Sequence, residues 1–149
     1  MIEIRELQKQ DIDQISEIEK RCFSDPWSRE SFEEVLTSPS FLCLVVLLDG
    51  KIAGYVVIII AADECEIVNV ATDISFRRQG IASKLLESVF ALSKTNKVRA
   101  YYLEVRESNV TAKGLYSKYG FVEIGVRKKY YKNPVEDAIL MRRLIIGEV

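Results

Sequence analysis

The chain contains no histidine, and that absence narrows the chemistry open to it. Imidazole is the commonest general base, the middle member of Ser-His-Asp and Cys-His arrangements, and a frequent zinc ligand. Proton transfer must therefore rest on carboxylate, tyrosine, lysine, cysteine or water. Two sets of residues stand out. Arg77, Arg78, Gln79, Gly80, Ile81, Ala82 and Ser83 are consecutive, with cations and small residues at the start of a helical apolar pattern. The free N–H groups and dipole of a helix start attract anions, and glycine permits close backbone approach, so the segment reads as a diphosphate cradle. The second set is Glu104, near the end of a β-rich run, with Asn109 and Tyr116 two helical turns apart. A carboxylate at the end of a central parallel strand lies where open sheets place their ligand crevice.

Charge distribution supports the cradle. Residues 77–132 carry a net charge of +9 and the remainder −10, although the whole chain sums to −1. The alternative is a chance clustering of solvated lysines. Nucleic-acid binding through this segment is not expected, because no aromatic-interleaved basic stripe accompanies it. The cysteines Cys22, Cys43 and Cys65 are far apart and lack Cys-x-x-Cys spacing. They are expected as reduced core thiols, with no metal site. The longest apolar runs are eight residues, too short to span a bilayer, and no signal peptide is evident, so a cytoplasmic location without membrane contact is expected.

The elements that must position these residues follow from periodicity. Residues 1–149 show no repeat or Pro/Gly-rich linker, a single domain is expected, and Ile2 to Arg5 alternates like a short strand. Asp11 and Gln14 resemble a capping box opening a helix to about Cys22, with Ile12, Ile15 and Ile18 on one face. Ser28 is the expected cap of a second helix, with Trp27 and Phe32 as its hydrophobic staple. Asp49-Gly50 separates two β-rich runs, 41–48 and 51–61, a strong hairpin signal. Their nearly continuous apolarity implies a sheet covered on both faces. A strand at 64–71, a helix at 80–93 and a strand at 99–105 form a right-handed crossover with parallel flanking strands. Asn109 caps a further helix, Gly120 ends it, and two strands near 121–130 and 136–143 close the chain as a hairpin. The expected fold class is α/β: a mixed sheet of about seven mostly antiparallel strands, a central parallel pair and four helices.

The string Arg77-x-x-Gly80-x-Ala82 at a strand-to-helix junction resembles the acetyl-coenzyme A signature of the GNAT superfamily of N-acetyltransferases. The resemblance extends along the chain. Phe23 to Ser28 with Phe32, Leu103 to Arg106 with Ser108-Asn109, Leu115-Tyr116 with Gly120-Phe121, and Arg127, Tyr130-Tyr131 and Glu136 to Ala138 are similar to the ribosomal-protein alanine N-acetyltransferases of the RimI type. Ala82 replaces a frequent glycine, and Gly114 lies within a helix at a cost of about 1 kcal/mol.

The resemblance implies acetyl-CoA as co-substrate and transfer to the terminal amine of a basic ribosomal protein. It makes Glu104 the proton acceptor, Tyr116 the donor to the departing thiolate and Asn109 a coenzyme A contact. It also implies backbone N–H groups around Val70, Ala71 and Thr72, at a splay between strands, as partners of the thioester. A terminal amine has a pKa of about 7.7 to 8.0, so a carboxylate acting directly or through water is base enough. Glu104 could instead pair with Arg106 or Arg127, and Tyr116 could simply pack among Leu115, Tyr119 and Phe121. Trp27, Tyr130 and Tyr131 are groove-lining candidates or plain packing aromatics. The carboxylates outside 77–132, among them Asp25, Glu30, Glu64 and Glu66, suit a basic peptide. A small polyamine substrate, or a non-catalytic coenzyme A-binding module, are the alternatives.

Overall fold

Asp49 and Gly50 both take positive φ, 51° and 81°, the pairing a two-residue hairpin turn requires. They join β2 (Phe41–Leu48) to β3 (Lys51–Ala61) in the computed structural model, which describes residues 1–145. The other elements are β1 (Ile2–Glu6), α1 (Ile12–Cys22), α2 (Arg29–Thr37), β4 (Glu64–Thr72), α3 (Ile81–Thr95), β5 (Ala100–Arg106), α4 (Val110–Lys118), β6 (Val122–Tyr131) and β7 (Glu136–Leu144). The strands form one sheet in the order β1-β2-β3-β4-β5-β7-β6. Among the described residues only β4 and β5, flanking the α3 crossover, pair in parallel. This is the expected mixed α/β sheet with four helices.

Both faces of the central strands are buried because successive side chains alternate across the sheet. Cys43, Val45 and Leu47 of β2 pack with Ile12, Ile15 and Ile18 of α1 and Phe32 and Val35 of α2. Leu44 and Val46 point the other way, into a cluster with Ile81, Leu85, Leu86 and Val89 of α3 and Tyr116 of α4. Cys43 and Cys65 are buried thiols, whereas Cys22 is only half-buried and packs against the edge of the α1–α2 cluster.

Local signals mostly place the helix ends. Ser28 Oγ accepts from the Ser31 N–H at 3.2 Å, and the Trp27 and Phe32 rings lie 5.3 Å apart. Asn109 Oδ1 accepts from the Ala112 N–H at 3.1 Å. The Asp11 box with Gln14 does not form. Asp11 instead accepts from the Gln8 N–H at 2.8 Å and pairs with Arg5 at 2.7 Å. The box falls one turn early because Arg5 on β1 offers this buried carboxylate a charge partner.

Gly54 is tightly constrained. A Cβ there would lie 2.5 Å from the Ala71 carbonyl oxygen and 2.9 Å from Ile81 Cγ2. Gly54→Ala is expected to lower stability by about 1–3 kcal/mol through overpacking, read as a drop in denaturant midpoint at constant slope.

Candidate active site

The parallel ladder between β4 and β5 stops at Ile67 opposite Leu103. Both strands continue, β4 to Thr72 and β5 to Arg106, without pairing with each other. The gap is the splay expected from the family resemblance, and it opens a crevice of about 610 Å³. Its walls are Ile67 to Val70 of β4, Leu103 to Arg106 of β5, Glu19 and Cys22 of α1, Phe23 to Asp25 and Trp27 of the α1–α2 connection, the start of α4, and Tyr131, Asn133, Pro134 and Glu136 around the β6–β7 turn.

Strand alternation sends Leu103 and Val105 into the α3–α4 core with Tyr116. Glu104 points to the opposite face of the sheet, toward Arg127 of β6, whose Nε lies 3.3 Å from its Oε2. Glu104 and Tyr116 thus approach the crevice from opposite faces, and the unpaired strand ends connect the two faces. The partner of Glu104 is Arg127. Arg106 is taken by Glu136 at 3.1 Å and by the Lys132 carbonyl at 2.8 Å, with its guanidinium 4.5 Å from the Tyr131 ring centre.

Burial raises the Glu104 pKa above the ordinary carboxylate value; Arg127 opposes the shift and Glu66 adds to it. Such a carboxylate binds protons more readily than one in water, as suits a base. Burial pushes Tyr116 up to about 12, with Tyr131 adding repulsion. Its phenol therefore keeps its proton across the neutral range. Tyr131 is also pushed up to about 12, by burial and the nearby Glu104.

The 77–83 segment lies beside the crevice rather than in its wall. Gly80 has φ +76°, and α3 begins at Ile81, with its Lys84 N–H bonding the Gly80 carbonyl at 3.0 Å. The N–H groups of Ile81, Ala82 and Ser83 precede that first helical bond and carry the exposed anion-binding potential. Ile81 is 2% exposed, so only its backbone can serve a ligand. Arg78 and Gln79 are exposed, whereas Arg77 turns back to the Thr72 carbonyl at 3.4 Å and Cys22 Sγ at 3.7 Å. Val70 lines the crevice, Ala71 is buried, and Thr72 is half-buried at the end of β4.

Trp27 and Tyr131 both line the crevice, and Tyr130 does not. Tyr130 stands edge-on to Tyr131 at 5.1 Å and is half exposed, with Arg127 5.6 Å from its ring centre. Sequence reasoning missed Glu19, Asn69 and Glu136, all of which line the crevice. For Glu19 a signal existed: it is a carboxylate inside the apolar stripe of α1, four residues after Ile15 and three before Cys22.

The description "Acetyltransferase (GNAT) family" belongs to the family model that matches residues 12–121. The [ribosomal protein bS18]-alanine N-acetyltransferase of Escherichia coli K12 is 33% identical over 93% of this chain and 94% of its own length. A Bacillus subtilis protein that carries the same name provisionally is 40% identical over 93% of this chain and 92% of its own. Among solved structures, the ribosomal-protein-S18-alanine N-acetyltransferase from Escherichia coli superposes with a TM-score of 0.92 at 32% identity, covering 100% of this chain and 97% of that one. Ard1 from Thermoplasma volcanium follows at 0.89 and 27% identity, covering 97% and 98%. With the matched family model spanning the crossover, the opened strand pair and α4, this chain belongs to the GNAT family of acetyltransferases.

Proposed function

We propose that residues 1–149 act as one N-α-acetyltransferase domain that transfers the acetyl group of acetyl-CoA to the N-terminal alanine of a ribosomal protein in the cytoplasm. The Escherichia coli relative is named for that reaction on bS18. The observation that carries the reading is the gap beyond Ile67 and Leu103, reached by Glu104 from one face and Tyr116 from the other. No described helix is long and apolar enough to cross a membrane.

The residues present suit the co-substrate. Arg78 and the N–H groups of Ile81, Ala82 and Ser83 would hold the diphosphate, Asn109 would face the arm of the cofactor, and backbone groups of Val70 to Thr72 would bond the carbonyl. Bound acetyl-CoA supplies a thioester, activated toward amine attack. Glu104 would accept one proton from the α-ammonium, directly or through water. The free amine would form the new C–N bond as the C–S bond breaks, Tyr116 would give its proton to the departing sulfur, and the second proton shed by the nitrogen on amide formation would restore the phenol. Trp27 and Tyr131 flank the peptide; Tyr130 supports Tyr131 from behind.

Mass spectrometry of the protein offered acetyl-CoA with N-terminal peptides and polyamines tests the reading. An acetylated alanine N-terminus is expected. Acetylation of polyamines alone, or of nothing, overturns it. The cradle has its own test. Gly80→Glu places a side chain at φ +76° and a negative charge beside the diphosphate, and is expected to weaken coenzyme A binding by about tenfold or more in calorimetry. Added salt should weaken binding to the parent protein in the same assay. Unaltered affinity in the variant moves the phosphate site elsewhere.

A further inference from the structure

Glu19 is a buried carboxylate that the chemistry above does not use. It is 2% exposed on α1, yet it reaches the crevice wall. Its Oε1 accepts from the Tyr55 hydroxyl at 2.5 Å and from Asn69 Nδ2 at 3.0 Å. Its Oε2 accepts from the Trp27 N–H at 3.0 Å. All three donors are neutral, so no cation offsets the burial of the charge through them, and a group of this kind is costly to keep. The three donors belong to β3, to β4 beyond its last pairing with β5, and to the connection between α1 and α2. Two of them, Asn69 and Trp27, stand in the crevice wall on the face that Glu104 occupies.

We propose that Glu19 is a positioning residue for the acceptor peptide. Its two oxygens hold the Trp27 connection against Asn69, and so fix the width of the wall that the peptide N-terminus meets. The inference rests on the acetyl-transfer reading. A carboxylate suits the task because it can accept from three donors at once and donates nothing. Glutamine at this position would turn an N–H toward a donor and release one tether.

Tyr55 makes the test clean. It is fully buried and lies outside the crevice wall, its hydroxyl donates to Glu19, and phenylalanine keeps the ring that packs on Phe32. Tyr55→Phe is expected to raise the peptide KM by about three- to tenfold, the loss of one hydrogen bond, while kcat and the acetyl-CoA KM stay within about twofold. Glu19→Gln is expected to raise the peptide KM by about ten- to a hundredfold with the same split. Trp27 is the sole tryptophan, so its emission reports directly on the tethered connection and should shift in both variants. Circular dichroism confirms folding, and Tyr55→Phe decides the matter if Glu19→Gln fails to fold. A parental peptide KM in folded Tyr55→Phe overturns the proposal, as does an equal loss of kcat, peptide affinity and acetyl-CoA affinity. If the parent acetylates no peptide at all, the acetyl-transfer reading has failed. Emission then tests the tether alone, and unshifted Trp27 emission in both variants overturns that as well.

Discussion

Glu104→Gln is expected to lower kcat/KM at neutral pH by about 10² to 10⁴, the usual worth of a positioned general base, with acetyl-CoA affinity retained. Glutamine keeps the size of the side chain and removes its capacity to take a proton. The deficit should narrow as pH rises past about 8, where the amine is already neutral in solution and needs no base. Removing Arg127 provides the complementary observation. Arg127 holds the Glu104 pKa down against burial and Glu66, so Arg127→Gln should move the acid limb of the kcat/KM profile to higher pH. Stability gives a third reading of the same group. A carboxylate whose folded pKa is raised favours the fold while protonated, and that contribution is lost as pH rises through the folded value. Glu104→Gln should therefore gain stability relative to the parent near pH 7, and the gain should fade below about pH 4. A pH–rate profile identical to the parent's would move the base to Glu107 or to a water chain.

Tyr116→Phe should cost about 10² to 10⁴ in turnover and leave peptide and acetyl-CoA binding close to parental. The substitution removes one hydroxyl and keeps the ring that packs edge-on to Phe121, 5.9 Å between centres. The phenol is held protonated, its pKa pushed up to about 12 by burial. The alkaline side of the parental profile should therefore show no loss from this group below about pH 11, if it acts as donor. A coenzyme A analogue with a more acidic thiol leaves with less protonation, and should narrow the gap between variant and parent. Parental turnover with acetyl-CoA itself would make the hydroxyl structural and assign the proton to water.

Around Tyr130 and Tyr131 the limit of sequence reasoning has an identifiable physical origin. Both tyrosines are plausible groove residues from their position, yet only Tyr131 lines the crevice. Between Arg127, opposite Ala138, and Tyr131, opposite Glu136, β6 has three residues where β7 has one. Lys129 takes φ 52° in that bulge and its N–H bonds Asp137 Oδ1 at 2.8 Å. A lysine with positive φ leaves no trace in composition, and the bulge decides which tyrosine faces inward. The partner of Glu104 was open for the same reason. Arg106 and Arg127 were both candidates, and the β7 register, which delivers Glu136 to Arg106, leaves Arg127 for Glu104.

Features written within a few residues of one another were legible. The Asp49-Gly50 turn, the Ser28 and Asn109 caps, the periodicity of α3 and the parallel pairing across it all follow from local sterics, local hydrogen bonding and the handedness of the crossover. These fix the element order and place Glu104 at a strand end and Gly80 at a helix start. The sequence alone thus determined which chemical groups the chain possesses and on which elements they ride. Tertiary structure decided which of them meet: the early end of the β4–β5 ladder, the burial of Glu19 beneath Trp27, and the pairing of Arg127 with Glu104. Glu19 lies 36 residues from Tyr55 and 50 from Asn69, and contacts at such separations depend on the register and twist of the whole sheet, which no local window encodes.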